Sequence, residues 1–450
     1  MRVVHVPFGY YPDAVGGTEV YVAELVRGLR TRGVDSIVAA PAASLGAIQY
    51  EHAGTPVHRF SLSPAADVED LYGEGDVDAA NAIAAILDDV RADVLHLHAF
   101  TRAASLRAAR VARRRGVAVV FTYHTPTASC VRGTLLHDGH EPCDGALIAQ
   151  RCTACLLESR GVPLAAREAL SRAPSVLTSA VASGVTGRMA TALRARELTV
   201  ARHDAFRGLL AECDAVVAVC EWVRALLVRA GANPARLMLS RQGTPARAAV
   251  GSQPRRAGDD LRLAFVGRLH PTKGAHVLLA ALVADQTLRV SLDVFGIAQD
   301  SEGEQYRRHL EAIAAGDPRV RFQAPIPSER VVDTLASYDY TVVPSQWLET
   351  GPLTVLESFA AGVPVLGSNL GGIAELVRHD RDGWLVPYDK TAGWTNALRM
   401  LSSDRSLGAR LRAGVRPPRS TDDVARDMVS VYDSVVARAT RAVAARVGVA

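Results

Sequence analysis

Short apolar runs alternate with helical patterns along the first half of the chain. Runs rich in Val, Leu and Ile that are not interrupted by polar positions are typical of parallel strands covered by helices on both faces. The pattern predicts one helix, Thr18–Arg32, which ends at Gly33, and strands at Arg2–Pro7, Val34–Ala40, Asp93–His98, Val117–Tyr123 and Asp214–Val219.

The same alternation starts again in the second half. It predicts strands at Leu261–Val266, Val290–Phe295, Val320–Gln323, Tyr340–Pro344 and Pro364–Gly367, and helices at Ala275–Ala284 and Pro352–Ala361. The segment Thr244–Asp260 between the two series is polar, rich in Pro, Gly and Arg, and has no apolar period, as expected of a linker. A last helix, Asp422–Val443, follows the break at Pro417-Pro418.

Two series of alternating strands and helices predict two doubly wound domains. The fold class is therefore α/β, with two Rossmann-like domains. We place the domains at residues 1–245 and 258–418 and the final helix at 420–445. The first domain carries a Cys-rich insertion at about 126–160 and a basic helical segment at about 160–210.

The composition of the chain argues against several classes of protein. The chain has 450 residues and a net charge of +4, which is too mild and too dispersed for a nucleic-acid-binding face. The N-terminal apolar run is too short for a signal peptide, and no run of 18 apolar residues could span a membrane. We expect a cytoplasmic protein that binds no nucleic acid and whose six cysteines are reduced unless they hold a metal.

The segment Glu158–Leu210 carries eight arginines and four acidic residues in an amphipathic helical pattern. One interpretation is a solvated helical insertion. The other is a peripheral contact with a membrane surface, at its inner face, or with a lipid acceptor. The sequence leaves both open.

The loop Gly267–Gly274 (GRLHPTKG) links a predicted strand to a predicted helix. The N–H groups at a helix N-terminus attract anions, and Arg268 and Lys273 add two cations. Lys273 is one of only two lysines among 51 basic residues, the other being Lys390. A compact ammonium is suited to a tight space beside a guanidinium, so we interpret this loop as a phosphate site.

A second loop runs into a helix with the sequence ETGPLTVLE, from Glu349 to Glu357. Pro352 is suited to the first helical position, and the amides near Thr350 would point towards an anion. Glu357 lies in an otherwise apolar helix, where a carboxylate needs a partner such as a ribose diol.

Two features of the first half lie at predicted strand ends as well. The pair Gly16-Gly17 precedes a helix and would let the backbone approach a ligand closely. His124 follows the strand VVFTY and could donate a hydrogen bond to a sugar hydroxyl or a phosphate.

Taken together, these loops resemble the GT-B family of retaining, sugar-nucleotide-dependent glycosyltransferases of family 4, also called glycosyl transferases group 1. The motifs GRL-x3-KG, E-x7-E, SNLGGIAELV at 368–377 and DGWLVP at 382–387 match in order and spacing. The resemblance implies a cytoplasmic hexosyltransferase that moves a sugar from a UDP- or GDP-linked donor to a hydroxyl acceptor, such as a glycan, a glycolipid or a small metabolite. It also implies that the two domains face each other across a cleft and that the C-terminal helix crosses back to the first domain.

The resemblance also implies roles for individual residues. Arg268 and Lys273 hold the diphosphate, Glu357 binds the ribose, and His124 contacts the sugar. Glu375 is a weaker supporting candidate. The expected catalytic residues are Glu349, His124, Arg268 and Lys273. The expected donor-binding residues are Gly16, Gly17, Gly267, Arg268, Lys273, Glu349, Thr350, Gly351, Pro352, Leu353 and Glu357.

We expect no catalytic metal. Negative charge grows on the departing diphosphate, and fixed cations can stabilise it without an ion. Asp76-Val77-Asp78 matches the Asp-x-Asp motif of metal-dependent glycosyltransferases of another fold, but it lies in an acidic loop and not at a strand end.

The insertion after His124 departs from the family pattern. Its cysteines, Cys130, Cys143, Cys152 and Cys155, end in a Cys-x-x-Cys pair with the spacing of a structural zinc site. An iron–sulfur cluster, disulfides or free thiols are alternatives, and His137 and His140 are alternative ligands. Cys213 and Cys220 flank a predicted strand and are expected in the core.

Two other functions remain as alternatives to a glycosyltransferase. The first is another GT-B enzyme, a sugar-nucleotide epimerase or a phosphorylase. A phosphorylase would need a buried lysine for its cofactor, and Lys390 lies in a loop. The second is a catalytically silent protein that binds sugar nucleotides.

Overall fold

The computed structural model describes residues 1–13, 16–42, 48–64, 68–174, 178, 181–182, 184–185, 187–245 and 260–447. Most of the predicted linker 244–260 and parts of the basic segment 160–210 lie outside these residues. The chain divides into two compact units, one formed by Met1–Arg241 with Thr421–Ala450 and the other by Gln242–Ser420. None of the described helices is both long and apolar enough to cross a bilayer.

The first unit is built on an eight-stranded sheet with the order β10-β9-β6-β5-β1-β2-β4-β3. All neighbouring strands are parallel except β3 and β4. The strands are β1 (Arg2–Val6), β2 (Asp35–Pro41), β3 (Ile48–His52), β4 (Thr55–Phe60), β5 (Val94–Leu97), β6 (Ala118–Tyr123), β9 (Ala215–Ala218) and β10 (Leu237–Leu239). Two short strands, β7 (Leu136–His137) and β8 (Glu141–Pro142), form a separate pair in the Cys-rich insertion.

Helices pack around this sheet. They are α1 (Gly17–Arg30), α2 (Val68–Tyr72), α3 (Val77–Val90), α4 (Leu106–Arg114), α5 (Ala149–Glu158), α6 (Leu164–Arg172), α7 (Gly187–Leu193), α8 (Ala195–Glu212), α9 (Glu221–Arg229) and α17 (Thr421–Val447). In α1 the buried residues Val22, Leu25, Val26 and Leu29 recur at helical spacing and form one apolar face.

The C-terminal helix α17 packs on the first unit, as the family resemblance implies. Its buried residues Val424, Met428, Val431 and Tyr432 share one hydrophobic cluster with α1 and with one face of the sheet. The first unit is therefore assembled from two segments that are far apart in the sequence.

The second unit has a six-stranded, fully parallel sheet with the order β13-β12-β11-β14-β15-β16. Its strands are β11 (Leu261–Arg268), β12 (Val290–Ile297), β13 (Val320–Gln323), β14 (Tyr340–Val343), β15 (Val365–Ser368) and β16 (Gly383–Val386). Its helices are α10 (Ala275–Val283), α11 (Ser301–Ala314), α12 (Val331–Leu335), α13 (Leu353–Ala360), α14 (Gly371–Leu376), α15 (Thr391–Ser403) and α16 (Arg405–Gly414).

Two units, each with a largely parallel sheet enclosed by helices, confirm the predicted fold class. Both sheets contain a topological switch point, where the chain stops adding strands on one side and continues on the other. The switch point lies between β11 and β14 in the second unit and between β1 and β5 in the first. Ligands of such sheets bind at this point, outside the carboxyl ends of the strands.

Candidate functional site

The predicted phosphate loop and the ETGP loop meet at the switch point of the second sheet. The first loop follows β11 and the second follows β14, and these strands are neighbours. The amide of Gln346 donates to the carbonyl oxygen of Thr272 at 2.7 Å, which joins the two loops directly. The switch point therefore brings Arg268, Lys273 and Glu349 to one edge of the sheet.

Gly274 is the residue that allows the two loops to approach each other. Its φ is +72°, and a Cβ atom there would lie 1.8 Å from the carbonyl oxygen of Pro344. Both the positive φ and the lack of space require glycine. The turn that precedes it, Pro271–Lys273, is capped by the side chain of His270, whose Nδ1 accepts from the amide of Thr272 at 3.2 Å.

Lys273 and Glu349 form an ion pair across the two loops. Lys273 Nζ lies 2.7 Å from Glu349 Oε1, and Ser345 Oγ donates to the same oxygen at 2.7 Å. Burial by itself raises the pKa of Glu349, but the Lys273 ammonium and these hydrogen bonds outweigh it and lower the pKa overall. Glu349 is only 6% exposed and is ionised at neutral pH.

The ammonium of Lys273 also lies 5.5 Å from the centre of the Trp347 ring, within the range of a cation–π interaction. Its side chain keeps about a quarter of its surface exposed, at 23%. Lys273 is therefore held on one side by Glu349 and Trp347 and remains accessible to a ligand on another.

Arg268 lies at the end of β11 and is exposed. Its positive charge affects the pKa of His270. Burial is the main cause of the lowered pKa of His270. The charge of Arg268 lowers this pKa further, whereas the charge of Glu302 raises it. Gly267 precedes Arg268 on the same strand. The loop thus presents one accessible guanidinium and, five residues later, one partly accessible ammonium.

Helix α13 begins beside this pair. Pro352 is its N-cap residue, with Leu353 the first helical residue, so the prediction that Pro352 occupies the first helical position was wrong by one residue. The carbonyl oxygen of Pro352 accepts from the amide of Val355 at 3.0 Å. Amides at the start of a helix have no acceptor from a preceding turn, so they are available to a side chain, to water or to a ligand.

The backbone before α13 is fixed by the SNLGG segment. The carbonyl oxygen of Glu349 accepts from the amide of Gly372 at 2.7 Å, and a Cβ atom on Gly372 would lie 2.7 Å from that same oxygen. The glycines of this motif therefore hold Glu349 in position. Glu375 lies in the short helix α14 that follows them. Thr350 is 9% exposed, and Gly351 is half-buried.

Glu357 is half-buried on α13. It lies one helical turn after Leu353 and Thr354, which places it on the same side of the helix as these residues. The hydroxyl of Thr354 donates to the carbonyl oxygen of Val266 in β11 at 3.4 Å. Glu357 is thus on the side of α13 that faces the end of β11.

In the first unit, the loop after β1 is held by a residue that the sequence analysis did not select. The Glu19 carboxylate accepts from the amide of Gly16 at 2.8 Å and from the amide of Gly9 at 3.3 Å, and it is only 5% exposed. Gly16 is the N-cap of α1, and Gly17 is its first residue. The motif Gly-Gly-Thr-Glu could have revealed this role, because an acid at the third helical position commonly binds the N-cap amide.

His124 follows β6 and is 5% exposed. Its ring lies 4.6 Å from that of Tyr21 of α1, and its Nε2 lies 3.2 Å from Nδ1 of His98. Burial lowers the pKa of His124 to about 3, so the imidazole is neutral at neutral pH. A neutral imidazole can donate one hydrogen bond and accept another.

The four cysteines of the insertion lie in one region but do not converge closely. Among the described residues, the one group of three or more potential metal ligands with donor atoms within 4.8 Å of one another is His5, His96 and His98. Burial is the main cause that raises the pKa of the thiols of Cys143, Cys152 and Cys155, and the charge of Cys130 adds to it in each case.

Some local features of a metal knuckle are nevertheless present. Cys143 Sγ accepts from the amide of Gly145 at 3.5 Å, and Cys155 Sγ accepts from the amide of Asp138 at 3.4 Å. Since the sulfur atoms are not close enough in threes to share an ion, zinc binding stays a prediction. Cys213 and Cys220 are buried, as expected.

Asp76 is the N-cap of α3 and is fully buried. Its carboxylate accepts from the amide of Ala79 at 2.9 Å and from the amide of Ser63 at 3.1 Å, and it pairs with Arg102. The Asp-x-Asp motif therefore coincides with the N-cap of α3.

Two family models match the chain. Residues 251–416 match the family described as glycosyl transferases group 1, and residues 16–152 match a glycosyl transferase 4-like domain.

Several curated proteins with similar sequences are named D-inositol 3-phosphate glycosyltransferase. The D-inositol 3-phosphate glycosyltransferase of Geodermatophilus obscurus is 32% identical over 255 residues, which cover 52% of this chain and 56% of that protein. The protein of the same name from Nocardia farcinica is 33% identical, over 46% of this chain and 49% of that protein. The chain thus matches about half the length of these relatives. The protein of that name from Thermobispora bispora is 29% identical over 414 residues, 89% of this chain and 84% of that protein.

Solved structures share the fold over nearly the whole chain. Sucrose-phosphate synthase from Thermosynechococcus elongatus superposes with a TM-score of 0.65 at 19% identity, covering 97% of this chain and 100% of that one. The Anabaena protein HepE in complex with UDP gives 0.62 at 14% identity, covering 96% and 100%. At these identities the comparison concerns the fold, and it confirms the GT-B architecture that the sequence predicts.

Proposed function

We propose that the chain transfers a sugar from a nucleoside-diphosphate sugar to a hydroxyl acceptor, with retention of configuration at the anomeric carbon, because residues 251–416 match the glycosyl transferases group 1 family. The observation that supports this most is the Lys273–Glu349 pair at the switch point of the second sheet, with Arg268 exposed beside it. A diphosphate needs cations there, and a sugar needs a hydrogen-bond acceptor.

The proposed reaction breaks the bond between the anomeric carbon and the phosphate oxygen. Negative charge grows on the departing diphosphate, and positive charge grows on the sugar ring. Arg268, Lys273 and the first amides of α13 stabilise the departing oxygen, because they are fixed in place before the reaction begins. These groups provide the electrostatic stabilisation without a catalytic metal.

Glu349 has the properties of a binding carboxylate. Its Oε1 is engaged by Lys273 and Ser345, and its lowered pKa keeps it ionised. We propose that it accepts hydrogen bonds from hydroxyls of the donor sugar and holds Lys273 against the phosphates. The acceptor hydroxyl then attacks on the face that the diphosphate leaves, and the departing phosphate takes its proton.

We propose that Glu357 binds the ribose of the donor and that the Gly16-Gly17 loop and His124 contact the diphosphate and the sugar. The donor would be UDP- or GDP-linked. The Anabaena neighbour was solved with UDP, which supports testing uridine donors first. Because relatives are named for D-inositol 3-phosphate, a polyol phosphate belongs among the acceptors tested.

The basic segment supports a peripheral membrane contact. Leu164 at the start of α6 is 59% exposed, and Met189 in α7 is 66% exposed, in a segment with an excess of arginine. Apolar side chains flanked by cations suit an anionic lipid surface. Sedimentation with anionic vesicles, and its loss in the Leu164→Ser, Met189→Ser double variant, would test this; equal sedimentation of both proteins would contradict it.

The experiment that tests the proposed function is a screen of nucleotide sugars for release of the nucleoside diphosphate, with and without acceptors. Substitution Lys273→Ala should lower turnover by about 100-fold or more. Lys390→Ala is the matched control, because Lys390 is the other lysine of the chain and is exposed. The anomeric configuration of the product, read by NMR, tests retention. A protein that binds a donor but never releases diphosphate or product would be a silent binder, and an epimerised donor would indicate the other alternative.

A further inference from the structure

The second unit contains an open pocket that is lined mainly by arginine. Its volume is about 400 Å³, which is enough for a small ligand. The lining comes from the turn between α14 and β16, from the end of α16 and from the segment after it. It includes Arg378, Asp380, Arg381, Arg410, Gly414 and Arg416. We call these six residues the arginine pocket.

The arginine pocket lies at the end of the second sheet opposite to the candidate donor site. Strands β15 and β16 are parallel, and the SNLGG segment follows the carboxyl end of β15. The turn 378–382 instead precedes β16, and the amide of Asp380 donates to the carbonyl oxygen of Gly383 at the start of that strand, at 3.0 Å. Since β16 alone is about 10 Å long, the pocket is separate from Lys273 and Glu349.

Close backbone contacts fix the shape of the arginine pocket. A Cβ atom on Gly414 would lie 1.8 Å from the carbonyl oxygen of Arg381, so the end of α16 can approach the turn only without a side chain at this position. Arg378 donates to the carbonyl oxygen of Gly414 at 2.8 Å and to Asp382 Oδ2 at 2.7 Å. Asp382 is only 3% exposed, and its Oδ1 accepts from the amide of Arg378 at 2.7 Å. The turn and α16 are therefore joined before any ligand binds.

Arg410 is held in the pocket by a second carboxylate. Its Nη2 lies 2.9 Å from Asp380 Oδ1, and its Nη1 donates to the carbonyl oxygen of Asp380 at 2.9 Å. The hydrogen bond from Arg410 is the main cause that lowers the pKa of Asp380. Asp404, the N-cap of α16, adds a weaker attraction to Arg410. The charge of Arg410 is thus balanced by acids, as that of Arg378 is balanced by Asp382.

Arg381 and Arg416 give the pocket an excess of positive charge. Both are exposed, and neither forms an ion pair with an acidic residue in the part of the chain that the structure describes. Two unpaired guanidiniums therefore lie in the lining beside two paired ones. The planar fork of donors on a guanidinium matches the oxygen atoms of a phosphate, to which it can donate two parallel hydrogen bonds.

We propose that the arginine pocket binds a ligand that carries phosphate, at a site distinct from the donor site. Arg381 and Arg416 bind the phosphate oxygens, while Asp380 and Asp382 hold the two other arginines in place around it. The site does not depend on the proposed transfer reaction. A soluble phosphorylated metabolite and an anionic lipid headgroup share this chemistry, and the experiments below distinguish them.

Calorimetric titration with pyrophosphate at physiological ionic strength tests the site. The protein used carries Arg268→Ala and Lys273→Ala, because these changes remove the two cations of the candidate donor site. We expect one equivalent of pyrophosphate to bind. Adding Arg381→Gln and Arg416→Gln should weaken this binding by about tenfold or more, whereas the melting temperature without ligand should stay unchanged because both side chains are exposed.

The matched control is the pair Arg308→Gln and Arg330→Gln in the same protein. These arginines are exposed in the second unit outside the pocket, so the pair removes the same charge. It should leave the dissociation constant within about twofold, because exposed charges more than about 8 Å away are largely screened. Absence of pyrophosphate binding, or equal weakening by both pairs, would overturn a soluble phosphate ligand.

Sedimentation with phosphatidylglycerol vesicles tests the lipid source. If the ligand is a lipid headgroup, the variant Arg381→Gln, Arg416→Gln sediments less than the control pair, and phosphatidylcholine vesicles bind neither protein. If the ligand is soluble, the two pairs sediment equally and differ only in pyrophosphate binding. The proposal fails if neither assay separates the two pairs. Failure of the proposed transferase function would instead appear as absence of diphosphate release from every donor, which neither assay measures.

Discussion

At the scale of single residues, Lys273 shows why the composition of this chain is informative. Nearly all basic positions are arginine, yet this one is lysine. Its ammonium fits between Glu349, which lies 2.7 Å away, and the Trp347 ring, next to a glycine that approaches the Pro344 carbonyl. A planar guanidinium is larger and binds carboxylates with a fork of donors, so it would displace these groups.

We therefore predict that Lys273→Arg lowers kcat by about 100-fold although the charge is unchanged. The reason is that the positive charge moves away from the departing oxygen. Steady-state kinetics with the identified donor measure this effect, and Lys390→Arg, at an exposed position, should be indistinguishable from the wild type. An active Lys273→Arg enzyme with intact fold would show that the lysine is incidental.

The sequence predicts which loops carry the candidate site, but not every residue that holds it. Arg268, Lys273 and Glu349 stand out because of their motifs and their positions at strand ends. The contact of Glu19 with Gly16 follows a local capping pattern that the motif could have revealed, whereas the contact between His5 and His98 depends on a distance across strands that sequence spacing does not give. The sequence His96-Leu97-His98 places both histidines on the same face of the sheet, because side chains alternate along a strand. This alternation was the available indication that the two histidines lie close together.

At the scale of elements, the Cys-rich insertion combines the short strand pair β7–β8 with helix α5. Helix α5 carries Cys152 and Cys155. Amide-to-sulfur hydrogen bonds at Cys143 and Cys155 are typical of metal knuckles, but the sulfur atoms would have to move closer to share one ion. A bound zinc would lower the thiol pKa values that burial raises.

We predict that the purified protein contains one equivalent of zinc. In the variant Cys152→Ser, both the zinc content and the melting temperature of the first unit should be lower. Elemental analysis and differential scanning calorimetry measure both quantities. Cys220→Ser is the control, because Cys220 is buried outside the insertion. A wild-type protein without metal after purification in zinc-containing medium would rule out the structural zinc.

Two buried histidines of the first unit, His5 and His124, affect its stability in acid. Since the pKa values of His5 and His124 fall from 6.5 in the unfolded chain to about 3 in the folded one, the unfolded chain binds more protons between these values. Stability should therefore decrease as the pH falls below about 6.5, by about 1.4 kcal/mol per pH unit for each such histidine.

Urea unfolding of the first unit between pH 7 and pH 4 measures this slope. The variant His5→Leu lacks one of the shifted groups and should show a slope smaller by about 1.4 kcal/mol per pH unit. His58→Leu is the matched control, because His58 is a half-buried histidine of β4, whereas His5 is fully buried in β1. A slope unchanged by His5→Leu would contradict the assigned pKa shift.

At the scale of the whole molecule, the first unit is discontinuous in the sequence. Helix α17 follows the entire second unit, yet its apolar face completes the core that α1 and the first sheet share. The amphipathic pattern after Pro417-Pro418 predicts the helix itself. Its partner could not be derived from that pattern, because any apolar surface of suitable width would satisfy it.

We predict that Met428→Ala destabilises the first unit by about 2–5 kcal/mol, since Met428 is fully buried. The second unit should unfold as in the wild type. Chemical unfolding followed by probes in each unit separates the two transitions. Arg426→Ala, an exposed change on the same helix, should have little effect. Destabilisation of both units by the same amount would show that they unfold together.

The discontinuity also sets an order of events during translation. The ribosome makes residues 1–241 first, but α1 and the sheet then lack the helix that covers one of their faces. The second unit, formed by a single continuous segment, can finish folding while that face is still open. Docking of α17 therefore has to wait until the whole second unit has been synthesised, and the apolar face that α17 covers stays exposed to solvent during that time.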